Sequence, residues 1–216
     1  MTNMPLIPKK LLELLIAVIV LSSLIIQFSL MLHGPAYKGF LDALVRFFSY
    51  FTILSNTLVF IYFLNLTLKN NAEEECWQKA ETGTAITVYI SVVGIVYHAV
   101  LSQLHSPVGL AFWADHGLHS FSPMLTFLYW AFFTSKRRVQ YKTIPYWLIY
   151  PAVYFLYTLL RGSLTGVYPY PFLDLNKISF VQALGNSLIV LLVFGILSIS
   201  LSFIANKRVQ NLKFAS

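Results

Sequence analysis

Six runs of apolar residues follow one another along the chain, at 11–32, 44–68, 82–104, 117–134, 143–161 and 179–205. Each is close to the ~20 residues that an α-helix needs to cross the hydrocarbon core of a bilayer. The pattern predicts an all-α, polytopic membrane protein: a single domain over residues 1–216, built as a bundle of six transmembrane helices. Lys9 and Lys10 precede the first run as they would in a signal peptide. That run is longer than a signal peptide's apolar region and has no A-x-A-like cleavage site after it, so it reads as a retained helix. The connections are too short for a separate soluble domain. Pro123 and Pro151 fall inside apolar runs and are expected to bend the fourth and fifth helices, which bundles tolerate.

Composition strengthens this reading. Of 216 residues, 57% are hydrophobic and 11% charged, against a usual charged share of about 25%. So little polar surface cannot cover a water-soluble globule of this size. The net charge of +7 does not point to nucleic acid, because the basic residues sit in short clusters between the apolar runs. They set an orientation instead. With the N-terminus inside, Lys9, Lys10, Lys69, Lys79, Lys136, Arg137, Arg138, Lys142, Lys207, Arg208 and Lys213 are cytoplasmic, and Lys38, Arg46, Arg161 and Lys177 are outside. That bias predicts both termini cytoplasmic, in a multi-pass protein of the plasma or inner membrane. The single cysteine, Cys76, rules out an intramolecular disulfide and a cysteine-based zinc site.

In that orientation all five histidines, His33, His98, His105, His116 and His119, fall in the outer half. Polar side chains at membrane depth are costly and face the bundle interior, which makes them candidates for function. Arg46, Ser49, Thr52 and Asn56 make a stripe on the second helix, flanked by Ser55 and Thr57. Helix geometry puts Thr52 roughly 8–14 Å below the outer interface and His119, in the first turns of the fourth helix, at roughly 3–8 Å. Gln182 and Asn186 on the sixth helix and Arg161 at the end of the fifth add to the same side. These residues predict a polar-lined outer cavity over a greasy inner half. The aromatic loop Val167–Leu173 is expected to fold back onto the bundle, since Tyr favours the interface.

Two chemistries suit this set. Three or four ligands drawn from His98, His105, Asp115, His116 and His119 would make a metal site, although the chain has no H-E-x-x-H. Alternatively, a hydroxyl beside a histidine base makes an activated nucleophile. No G-x-S-x-G elbow is present, which excludes an α/β-hydrolase. His119 has the better position for the base, held neutral by the positive end of its helix, with His116 and Asp115 to orient it or bind substrate. Asn56, Asn186 or Arg161 would stabilise an oxyanion. From pattern alone, ordinary interhelical hydrogen bonding is the plainer account of the hydroxyl stripe, so a non-enzymatic lipid-binding or transport protein is a third reading.

Three stretches resemble the six-helix androgen-induced and androgen-dependent membrane proteins and their bacterial relatives. Asp115-His116-Gly117-Leu118-His119-Ser120 is similar to that family's His-Gly-x-His-Thr. Tyr168-Pro169-Tyr170-Pro171-Phe172-Leu173 is similar to its Tyr-Pro-Phe-Leu, and Phe51-Thr52-Ile53-Leu54-Ser55-Asn56 has a threonine at a matching place. Animal members are threonine hydrolases of fatty-acid esters of hydroxy fatty acids. The resemblance implies Thr52 as nucleophile and His119 as catalytic histidine, a lipid ester as substrate, and neither cofactor nor metal. Ser55, Asn56, His98, Asp115, His116, Arg161 and Asn186 are the expected supporting or substrate-binding residues. The chain departs from the family at Ser55-Asn56, where animal members have an acid downstream, and at Ser120, where they have threonine.

Overall fold

The computed structural model describes residues 8–35, 38–68, 79–104, 106–134 and 137–214, with residues 212–214 as backbone alone. His105, Cys76, Lys69, Lys136 and the acidic residues Glu73 to Glu75 lie outside the described residues. Helices make up the fold, and no strand occurs among the described residues. In chain order they are α1 (Lys9–Leu32), α2 (Phe40–Phe47), α3 (Phe51–Leu68), α4 (Ala80–Val96), α5 (Leu110–His116), α6 (Ser122–Phe133), α7 (Ile144–Thr165) and α8 (Phe180–Phe214). A wider π turn, Tyr97–Leu101, extends α4, and a second, Gly117–Phe121, joins α5 to α6 without a break. Five helical segments are long and apolar enough to cross a membrane: Lys9–Leu32, Phe51–Leu68, Ala80–Leu101, Tyr141–Thr165 and Phe180–Asn211. The protein is therefore a helical membrane protein.

Two of the expected helices differ from the apolar pattern, each for a local reason. The run at 44–68 is broken. At its break the Ser49 hydroxyl donates to the Val45 carbonyl (2.6 Å), the acceptor that Ser49's own N–H would use in a continuous helix. The Ser49 N–H turns to Arg46 and that of Tyr50 to Phe47, and α3 begins afresh at Phe51. Side-chain competition of this kind is what disfavours serine inside helices. The fourth helix begins at Leu110, well before the expected Gly117.

The two prolines act through the carbonyls four residues before them, which proline can neither bond nor sterically accept. Pro123 frees the carbonyl of His119, and the helix widens there into the π turn. Such turns often mark functional sites. Pro151 frees the carbonyl of Trp147, and Tyr89 on α4 donates its hydroxyl to it (3.0 Å). Gly117 and Gly94 let neighbouring helices close on the π turn. A Cβ at Gly117 would come within 2.0 Å of Ser23 Oγ on α1, and one at Gly94 within 3.3 Å of the His119 carbonyl.

α1 packs on α3, while α4 takes the centre against α3, α6 and α8, and α7 leans on α8. Phe63, Val59, Val88, Ile90, Leu118 and Phe194 fill the interior. The half of the bundle next to the start of α1 carries polar fasteners as well. Tyr129 donates to the buried carboxylate of Glu13, and Trp130 donates to Thr84 Oγ1 (3.0 Å). Lys10 covers the last carbonyls of α3 at Leu66 and Thr67, a favourable place for a cation. Facing outward, Leu160, Ile189, Leu192 and Phe203 are more than half exposed. An apolar exterior of this extent belongs against lipid tails.

Candidate active site

The break before Phe51 and the π turn before Pro123 bring two side chains together. Thr52 Oγ1 lies 3.3 Å from His119 Nε2. The far side of the ring meets Asp115: His119 Nδ1 is 2.9 Å from its backbone carbonyl and 3.1 Å from carboxylate Oδ1. A carbonyl oxygen only accepts, so Nδ1 carries a hydrogen, and in a neutral ring Nε2 then presents a lone pair. Thr52 must then donate to His119. The arrangement is a hydroxyl–imidazole–carboxylate relay, a geometry that is able to activate a nucleophile.

Tyr97, on the π turn that extends α4, braces the relay in two ways. Its hydroxyl donates to Asp115 Oδ2, and its ring stacks on the His119 imidazole with centroids 4.1 Å apart. Asn56 ties α3 to the π turn, donating to the carbonyls of Thr52 (2.9 Å) and Leu118 (3.1 Å). Both its N–H groups are thereby engaged. Asn56 holds the scaffold and is not a free oxyanion donor.

Tyr170 comes from the aromatic loop, which does fold back onto the bundle. Its hydroxyl accepts from the Thr52 backbone N–H (3.2 Å) and sits 3.3 Å from Thr52 Oγ1. Since Thr52 donates to His119, the Tyr170 hydroxyl donates to Thr52 Oγ1. Burial pushes this hydroxyl above the usual tyrosine range, so it keeps its proton. The loop is pinned: Asn186 donates to the Phe172 carbonyl (2.9 Å), Arg161 to that of Val167 (3.1 Å), and Asn176 to that of Gly166 (2.9 Å).

The remaining expected site residues fall elsewhere. Asn186 and Arg161 hold the loop rather than reach Thr52. His98 pairs with Ser120 (3.1 Å) on the exposed side. His116 Nδ1 lies 3.7 Å from Asp115 Oδ2, beside the Phe112 ring, so the support expected of it comes mainly from Asp115. Ser55 is buried and does not bond to His119, while Thr57 donates to the Ile53 carbonyl. Thr57 instead lines a groove between α1 and α2–α3. Arg46 pairs with Asp42 (2.8 Å), whose carboxyl is held below the usual range by the Lys38 N–H and then by Arg46. No group of three or more metal-ligating side chains gathers among the described residues.

Two expectations need correction. His119 stands well inside a helix that starts at Leu110, and the field of a helix end fades within its first turn. The bond from Nδ1 to Asp115 selects the tautomer instead. Nor is the cavity polar. About 280 Å³ in volume, it lies among α3, α4, α7, α8 and the aromatic loop, and only Thr52, Tyr154, Tyr170 and Ser187 bring hydroxyls to a wall of Val, Leu, Phe, Ala and Pro. Leu156 and Leu188 belong both to this wall and to the lipid-facing exterior, so the space adjoins the membrane between α7 and α8.

Tyr97 and Tyr170 were missed as site residues. Tyr170 stood in a conspicuous aromatic motif, whereas Tyr97 carried no signal beyond its neighbour His98. Scans of protein-family models, of curated proteins and of solved structures found no match to this chain.

Proposed function

We propose that this chain is an integral membrane lipid-ester hydrolase with Thr52 as nucleophile and His119 as general base, related to the six-helix androgen-induced and androgen-dependent proteins. The continuous helix Leu110–Phe133 is the sixth span, both termini are cytoplasmic, and the site lies in the outer half of the bilayer. The observation that carries the reading is the Thr52–His119–Asp115 relay at the wall of an apolar cavity. A water-facing esterase has no need of such a wall, whereas a lipid chain entering sideways between α7 and α8 does.

In this mechanism Thr52 Oγ1 attacks the ester carbonyl carbon as its proton passes to His119 Nε2. The carbonyl π pair moves onto oxygen. Asp115 and the Tyr97 hydroxyl behind it stabilise the imidazolium that forms. Collapse of the adduct breaks the bond to the alcohol oxygen, which takes the proton from His119. Water then attacks the acyl-threonine through the same base and releases the fatty acid. Substrates of the class of fatty-acid esters of hydroxy fatty acids fit a site that offers one apolar compartment for the acyl part.

Labelling by a fluorophosphonate and turnover of a panel of lipid esters, that class included, provide the test. Wild type is expected to label and turn over. Thr52→Ala and His119→Ala are expected to lose roughly 10⁴–10⁶-fold in kcat, as when one member of such a unit is removed. Labelling that persists in Thr52→Ala would identify another nucleophile. A wild type that neither labels nor hydrolyses would make this a lipid-binding protein.

A further inference from the structure

An ester hydrolase needs a donor for the oxygen that becomes negative, and of the three residues suggested by the sequence one has no N–H to spare and two bond to the aromatic loop instead of to Thr52. Asn56 spends both N–H groups on backbone carbonyls, while Asn186 and Arg161 hold the aromatic loop. We propose that Tyr170 is the oxyanion donor, acting together with the backbone N–H of Thr52. The assignment rests on the hydrolase reading above.

The geometry supports it at three points. The hydroxyl of Tyr170 already touches the reacting atom, 3.3 Å from Thr52 Oγ1. In the tetrahedral adduct, Oγ1 and the oxyanion are bonded to one carbon, so a donor that reaches the first needs only a small rotation to reach the second. With a neutral imidazole the direction of donation follows. His119 Nδ1 is committed to Asp115, Thr52 therefore donates to Nε2, and the Tyr170 proton points at Oγ1. As the ester forms, Oγ1 loses basicity while the carbonyl oxygen gains charge, and the tyrosine proton follows the charge without leaving its oxygen.

The backbone supplies the second donor. Because α3 restarts at Phe51, the Thr52 N–H has no partner within its helix and meets the Tyr170 hydroxyl instead (3.2 Å). Releasing that bond turns the N–H toward the same oxyanion. Tyr170 does not have to be recruited for this. It is buried against the edge of the Tyr50 ring and stacked on Phe172, on a loop pinned at Val167, Phe172 and Gly166. Fixed donors cost no reorganisation during the reaction, which is the main advantage of an oxyanion hole.

The test compares a carboxylic ester with its thionoester, in which the C=O oxygen is replaced by sulfur, a poor hydrogen-bond acceptor. Wild type is expected to prefer the oxygen ester strongly. Tyr170→Phe is expected to lose about 10²–10³-fold in kcat on the oxygen ester, with KM little changed and far less loss on the thionoester. A Tyr170→Phe enzyme with wild-type kcat, or one that loses equally on both esters, overturns the assignment. If that variant does not fold, wild type alone decides: no preference for the oxygen ester overturns the assignment as well. A wild type inactive on every ester fails the hydrolase reading itself, which is a separate outcome.

Discussion

Among the described residues two carboxylates are buried in this bundle, and each accepts a hydrogen bond from a tyrosine. Near the aromatic loop Tyr97 donates to Asp115, and in the half next to the start of α1 Tyr129 donates to Glu13. The local chemistry is the same, yet the surroundings separate them. Asp115 passes its other oxygen to His119, whose far nitrogen meets a hydroxyl on a cavity wall. The second oxygen of Glu13 is buried with no hydrogen-bond partner among the described residues, and Lys9 stands 3.7 Å from the first. Neither Glu13 nor Tyr129 lines the apolar cavity or the groove beside α1. A buried acid in a membrane bundle is thus no site in itself. What makes one is a chain of directed hydrogen bonds that ends where a substrate can lie.

The largest effect expected from this contrast is at Asp115. Asp115→Asn weakens the support of the imidazolium and the tautomer choice, and kcat is expected to fall by about 10³–10⁴-fold with a near-wild-type melting temperature. Steady-state kinetics beside a thermal melt in detergent check it. A comparable fall in kcat for a Glu13 variant would break the contrast.

A smaller effect is expected at the cavity. Ser187→Trp fills apolar volume away from the relay, and long-chain esters should lose about tenfold or more in kcat/KM relative to short ones, the scale on which apolar pockets discriminate by size. Labelling by a small fluorophosphonate should persist. Equal losses on long and short esters would mean that the acyl chain lies elsewhere.

The smallest is at the Tyr129–Glu13 fastener. Tyr129→Phe removes the donor to Glu13 and is expected to cost about 1–3 kcal/mol of stability, read as a lower unfolding midpoint, with turnover per folded molecule unchanged. Loss of turnover at full folding would give this pair a role in the reaction.

Much of the architecture was legible along the chain, because apolar length and proline placement are local properties. The helical runs and the fold-back of the aromatic loop follow from residues read in order, whereas the pairing of Thr52 with His119 was implied by the resemblance of two short motifs and not by periodicity. The break before Phe51 was not legible, since a serine hydroxyl competing for one carbonyl leaves the hydropathy of 44–68 unchanged. Nor was the apolar lining of the cavity, which Val92, Phe155 and Leu188 make together from three helices.

By itself, the sequence determined that this protein lives in a membrane as a helical bundle, and it narrowed the chemistry to a few hydroxyls and imidazoles. Only the tertiary structure chose among them. Ser55, Thr57 and Thr52 lie within two turns of one helix and differ little as text. They point to different neighbours once α3, α4 and the π turn are packed, and only Thr52 meets His119. Tyr97 and Tyr170 reach the same point from distant parts of the chain. Direction in three dimensions is set by packing between helices, which no periodicity within one helix encodes.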